Sequence, residues 1–168
     1  KTAYEIGLGI PVNRSSDLSA RAGLDDVRRV ARELRPGVLE DLGLHSALTS
    51  LATDFSAATG VPVRRTVAPA IPDLPKDTEL VVYRVAQEAL TNIARHAGAA
   101  KVELSLLRVG DDVVLEVADD GAGSGEVTPG AGIRGMHERA ALVGGRLTIT
   151  HPLPHGTRVR LEVPVIRG

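Results

Sequence analysis

Val113-Val114-Leu115-Glu116-Val117-Ala118-Asp119-Asp120-Gly121-Ala122-Gly123 reads as a strand that runs directly into a glycine-bearing turn. Val113, Leu115 and Val117 alternate with Glu116 at the period of two that puts one face on a core. Past Ala118 the apolar run stops at a carboxylate, and the two glycines let the backbone bend sharply or lie close to a flat ring. A carboxylate there can accept a hydrogen bond from an exocyclic amine such as that of adenine. Asp and Gly are also the ordinary residues of a strand-ending turn, so the segment alone leaves both readings open.

Working outward, Val102, Leu104 and Leu106 alternate with Glu103 and Ser105, and Gly110-Asp111-Asp112 reads as the hairpin turn between the two strands. Upstream lies a helix over residues 74–97, opened by Leu74-Pro75 because proline is tolerated in a first helical turn. Val61, Val63 and Val67 suggest a first strand, linked to that helix through Pro69, Pro72 and Pro75. Before it, Leu44, Leu48, Leu51 and Phe55 form one helical stripe stopped by Gly60 and Pro62. Downstream, Gly130-Ala131-Gly132-Ile133-Arg134-Gly135-Met136 leads into a short helix over 134–143 that stops at Gly144-Gly145. Closing strands are expected at 147–150 and 157–163, joined by a turn through Pro152, Pro154 and Gly156. The sum is an α+β fold: a two-layer α/β sandwich with one mixed, mostly antiparallel sheet and helices on one face.

The N-terminal stretch differs. Residues 1–16 carry breakers and no sustained periodicity, and are expected to be a linker or poorly ordered segment. Residues 17–36 form a helix with Ala20, Leu24, Val27, Ala31 and Leu34 on one seam, ended by Pro36 and Gly37. Residues 37–168 make up the remaining domain.

Composition narrows the function classes. A net charge of −1 over 168 residues gives no whole-chain reason to bind nucleic acid, and 2% aromatics with no Trp leave no stacking platform for bases of a single strand. The absence of cysteine excludes disulfides, thiolate metal sites and a thiol nucleophile. No apolar run approaches the roughly 20 residues of a membrane span, so no membrane contact is expected of this chain.

On the central helix, Val82, Ala86, Ala89, Ile93 and Ala97 fall on one side while Arg84, Glu88, Asn92 and Arg95 fall on the other. Glu88 and Asn92 are neighbours one turn apart. An amide oxygen suits a hard cation, and Mg²⁺ takes few protein ligands beside water and phosphate oxygens; Glu88 can hold a metal-bound water or act as a base. The same pattern also describes a solvated helix face stabilised by pairs such as Arg84 with Glu88. The Gly130-x-Gly-Ile-x-Gly segment precedes a helix whose free amides can bind phosphate. It falls late in the chain, which argues against a dinucleotide-binding βαβ unit.

Taken in order, Glu88 to His96, Asp119 to Gly123 and Gly130 to Met136 resemble the N, G1 and G2 boxes of the histidine-kinase-like ATPase (GHKL) family. The stretch 33–44, Gln87 to Asn92 and Gly132 to Ala140 are similar to the class of sensor histidine kinases that includes the nitrate sensors and DesK. The similarity covers about residues 17–165. It implies a Bergerat-type ATP-binding fold, ATP with Mg²⁺, Asn92 on the metal, Glu88 beside it through water, and Arg95 and His96 near the phosphates. It further implies Asp119 on the adenine amine, Gly121, Gly123, Gly130, Gly132, Ile133, Gly135 and Met136 shaping the pocket and lid, and Thr157 near the base.

The lid, residues 124–131, is expected to be short and mobile. By the same resemblance, residues 17–36 correspond to the second helix of a dimerisation hairpin. The intact protein would be a homodimeric, cytoplasmic kinase, with or without a membrane anchor, that phosphorylates a histidine and then a response regulator. The phosphoacceptor in that class is a His-Asp pair, and none of the five histidines here is followed by aspartate. An anti-sigma-factor serine kinase and a non-kinase GHKL ATPase are the alternatives. The residues Glu33-Leu34-Arg35-Pro36 argue against the first, and the absence of a following transducer domain against the second.

Overall fold

A computed structural model describes residues 35–96, 98–122, 130–152 and 154–165. The expected segment 1–16, the expected helix as far as residue 34, Gly123 and the lid residues 124–129 lie outside the described residues; Arg35 and Pro36 are not helical.

Helix α1, Gly37–Thr59, buries Leu39, Leu44, Ala47, Leu48, Leu51, Ala52 and Phe55 and is kinked at Gly43. Leu48, in the middle of this stripe, and Phe55, at its C-terminal end, are fully enclosed. Truncating a residue such as Phe55 to alanine costs about 3–5 kcal/mol in cores of this kind. Gly60 ends the helix in the left-handed conformation, its amide donating to Ser56 O. Val61 is still part of that turn, its amide donating to Thr59 Oγ1. Strand β1 therefore starts at Val63, two residues later than the valine pattern suggests, and runs Val63–Val67. Helix α2 is Lys76–His96, with the Pro75 carbonyl accepting the Glu79 amide.

Strands β2 (Val102–Val109) and β3 (Asp112–Asp119) form the hairpin, turning at Gly110 and Asp111. Helix α3, Ala131–Leu142, is followed by β4, Arg146–Thr150, and β5, Thr157–Pro164. The sheet order is β1-β2-β3-β5-β4. Among the described strands only the β1–β2 pair is parallel. This is the mixed, mostly antiparallel sheet expected. Val102, Leu104 and Leu106 of β2, Val113, Leu115 and Val117 of β3, and Val159, Leu161 and Val163 of β5 form its apolar inner face and join one core with the helices. The outer face carries charge ladders instead: Arg160 bonds Glu116 and Glu162. Arg158 approaches Glu116. These arginines belong to the outer face of the last strand, as their alternation indicates.

Two local readings change. Helix α2 is not amphipathic with one solvated side, because it packs against α1 as well as α3 and over β3 and β5. Arg84, assigned to the polar side, is 9% exposed, and Thr78, Gln87 and Thr91 are buried too. Helix α3 begins at Ala131, three residues before the expected start, since Gly130 is extended and its carbonyl accepts the Arg134 amide. Glycines do not prevent a helix from starting where its first turn needs no side chains.

Candidate nucleotide site

On the polar side of α2, Glu88 meets the start of α3, while Arg95 at the end of the helix is exposed. Glu88 and Asn92 are both partly buried. A Cβ added to Gly132 would collide with the Glu88 carboxylate, so the first turn of α3 rests on that side chain. A side chain at Gly132 would have to displace the flexible end of Glu88. The amides of Ala131, Gly132 and Ile133 lack intrahelical acceptors, and with the helix dipole they make this end attractive to anions; Glu88 is the anion placed beside it.

Two turns N-terminal to Asn92, Arg84 Nη1 donates to Gln87 Oε1 at 2.8 Å. Its guanidinium lies 5.8 Å from the centre of the Tyr83 ring. Burial, against the influence of Tyr83, and then repulsion from Arg139 of α3 hold Arg84 below its ordinary pKa. The solvated Arg84–Glu88 pair that the sequence allows does not form; Arg84 is an interior residue of the helix layer. Arg95 and His96 are exposed at the C-terminal end of α2.

The second half of the site lies at the end of β3. Asp119 pairs with Val102 on β2 and Thr157 on β5. By alternation it continues the inner row of Val113, Leu115 and Val117, so its side chain is on the helix side. Its carboxylate accepts the Gly121 amide at 2.7 Å. Burial nevertheless pushes its pKa up, the Gly121 bond opposing. Asp120 points elsewhere: it accepts the Ala100 and Lys101 amides at 2.8 and 3.0 Å, which hold it below the usual carboxylate range. Of two adjacent aspartates, one ties the turn to the start of β2 and the other faces the site.

Gly156, at φ 117°, lies so near Asp119 that a Cβ would meet the Asp119 carbonyl. This contact brings Thr157 beside Asp119. The same turn carries His151, whose Nδ1 is 3.4 Å from Thr157 Oγ1. His151 lies just past the end of β4 and is exposed; continued alternation from Leu147 and Ile149 would put it on the inner side.

The remaining expected residues divide. Gly121 is buried at the turn; Gly130 is the extended residue before α3; Gly135 lies within α3 beside Arg139. Ile133 packs on the core and Met136 is 0% exposed within it, so Met136 supports the site from beneath. Arg35, which sequence reasoning placed only in a motif, ties three parts together. Its guanidinium bonds Glu40 of α1 at 2.5 Å, and Glu79 and the Lys76 carbonyl of α2 at 2.8 and 2.9 Å.

Among the described residues no group of three or more His, Cys, Asp or Glu side chains is placed to hold a metal, and no helix is long and apolar enough to cross a membrane.

A family described as histidine kinase-, DNA gyrase B- and HSP90-like ATPase matches residues 77–167. The chain is 40% identical over 146 residues to the oxygen sensor histidine kinase NreB of Staphylococcus carnosus, covering 84% of this chain and 42% of that protein. It is 36% identical over 132 residues to the sensor histidine kinase MctS of Rhizobium johnstonii, covering 75% and 29% respectively. It thus spans less than half the length of either relative. In fold it is similar to the histidine kinase domain of a blue-light activated histidine kinase of Erythrobacter litoralis, with a TM-score of 0.62, 24% identity, and 73% of this chain and 61% of that one covered. The chain belongs to the histidine kinase-, DNA gyrase B- and HSP90-like ATPase family.

Proposed function

We propose that this chain is the ATP-binding catalytic part of a sensor histidine kinase and binds ATP with Mg²⁺ between α2, α3 and the ends of β3 and β5. The observation that carries the reading is the seating of the α3 start against Glu88, which brings the first and third motifs side by side. The oxygen donors of Asn92 and Glu88 fit a cation that takes most of its ligands from water and phosphate, which explains why no three-residue metal cluster is needed. Bound there, such a cation neutralises charge on the phosphoryl oxygens during transfer.

The chain's own residues supply position and charge. Asp119 accepts from the exocyclic amine of the base, with Thr157 beside it. The α3 amides receive phosphate oxygens, Asn92 fixes the cation, and Glu88 orients its water. Arg95 and His96, exposed one turn beyond Asn92, stand at the phosphate end. The acceptor is proposed to be a histidine on a helical dimerisation hairpin of the same intact protein, with a response regulator as the next acceptor. The curated relatives, both sensor histidine kinases, favour this over a serine kinase or a non-kinase ATPase.

Calorimetric titration of ATP into the chain and into Asn92→Ala, with and without Mg²⁺, tests the site. The substitution is expected to weaken binding at least about tenfold with Mg²⁺, the loss of one charge-assisted ligand, and to change metal-free binding little. Equal losses under both conditions would remove Asn92 from the metal.

A further inference from the structure

Across β2, β3 and β5 the inner face is apolar through the rows of Leu104 and Leu106; in the row that follows at the end of β3 the residues are Val102, Asp119 and Thr157, with His151 just past the end of β4. Two of the polar three are accounted for by base recognition. His151 is not. Its Nδ1 lies 3.4 Å from Thr157 Oγ1, a long hydrogen bond whose direction depends on which partner carries the proton.

We propose that His151 is a specificity-determining residue of the base site: by donating to or accepting from Thr157, it sets whether the Thr157 hydroxyl offers its proton to the base. The inference rests on the reading of this cleft as an adenine-nucleotide site. On the edge of adenine the amine donor is followed by a ring nitrogen that only accepts. Asp119 suits the amine, and Thr157 on the next strand must then donate to the ring nitrogen, directly or through one water. When His151 is neutral with Nδ1 bare, Thr157 donates to the imidazole and has only lone pairs left for the base. When Nδ1 carries a proton, the imidazole donates to the threonine oxygen and the hydroxyl proton is released toward the base. The neutral imidazole leaves Thr157 as the donor only in its Nδ1–H tautomer, whereas protonated His151 always does, so proton uptake favours the donor that adenine requires.

The surroundings favour this use. Asp119 is the titratable group coupled to His151 from β3, and a charged imidazole helps keep it ionised against the effect of burial. Asp120 is turned to the Ala100 and Lys101 amides. Arg158, next to Thr157 on β5, is on the outer face with Glu116. His155 is in the same turn, and both histidines are exposed. By linkage, a ligand that prefers protonated His151 binds more tightly as pH falls, and its binding promotes proton uptake there. The gain ends at lower pH, where Asp119 takes up a proton.

The test follows the five histidine rings by NMR during pH titrations of the whole chain, with and without adenosine, which carries no phosphate to attract imidazolium in general. Calorimetry with ADP at pH 8 and pH 6 runs in parallel on the parent and on His151→Gln, which hydrogen-bonds but does not titrate. Expected are an upward shift of the His151 midpoint with adenosine while that of His155 stays put, and ADP affinity about fivefold higher at pH 6 than at pH 8 in the parent, the weight of one hydrogen bond. The pH dependence should be absent from His151→Gln. A His151 midpoint unmoved by adenosine, or the same pH dependence in both proteins, overturns the proposal while leaving the nucleotide site intact. No binding of either ligand at any pH would instead overturn the site itself.

Discussion

At the scale of single residues, the two adjacent aspartates make opposite predictions. Asp119 is partly buried with its pKa raised, chiefly by burial, so its charge is tolerated in the fold rather than exploited by it. A carboxyl whose folded pKa exceeds its unfolded value favours unfolding once it ionises, and the penalty is relieved as pH falls back through the folded pKa. Asp119→Asn should therefore leave the thermal midpoint at pH 7 unchanged or slightly higher, since the amide oxygen can still accept from Gly121. The same change should lower ADP affinity by about 1–3 kcal/mol, the cost of an imperfectly paired polar group. Asp120 has a depressed pKa because it accepts backbone amides from Ala100 and Lys101. Its contribution is present above the ordinary aspartate pKa and disappears as pH falls through its lowered value. Asp120→Ala should lower the midpoint at neutral pH, and that deficit should close on acidification. Thermal melts from pH 7 to pH 3 beside ADP titrations check both; a nucleotide-binding loss confined to Asp120→Ala would exchange their roles. The sequence contains the means to tell them apart, since Asp119 shares the parity of Val113, Leu115 and Val117.

At the scale of elements, two glycines that look alike in a motif do different work. Gly132 opens α3 against the flexible end of Glu88, whereas Gly156 meets a main-chain carbonyl at a φ closed to other residues. Gly132→Ala can be accommodated if Glu88 swings away, and alanine suits a helix better than glycine. The chain should remain as stable, but with Glu88 displaced its Mg²⁺-dependent ATP binding should fall. Gly156→Ala has no such escape and should cost about 1–3 kcal/mol of stability. Urea unfolding of both variants decides it: a destabilised Gly132→Ala and a neutral Gly156→Ala would contradict this geometry. The strands were legible because alternation specifies a face locally. The surroundings of α2 were not, because periodicity reveals which side meets the sheet but not that α1 and α3 cover the flanks. Hence Arg84 reads as solvated and is buried. The start of α3 was missed for a related reason: glycines read as loop, yet here they open the helix.

For the whole molecule, the decisive matter is what the cleft acts upon. In-line phosphoryl transfer needs an acceptor nitrogen held at the γ-phosphate and a base for its proton. The chain contains no His-Asp pair. His137 comes nearest, since Glu138 follows it, but both are exposed on α3, more than a turn past Gly132, where the helix start meets Glu88. Incubated alone with labelled ATP, the chain should bind nucleotide without gaining acid-labile phosphohistidine. Arg35 joins the segment preceding α1 to the starts of α1 and α2, so an acceptor hairpin continuous with that segment would be held against the domain that acts on it. Supplied as a separate polypeptide, such a hairpin should be phosphorylated at a rate proportional to its concentration, because encounter replaces the covalent link. Arg35→Ala should change that bimolecular rate little while slowing transfer within a joined chain. Acid-labile label on the isolated chain, abolished by His137→Gln, would make His137 the acceptor and end the requirement for a hairpin.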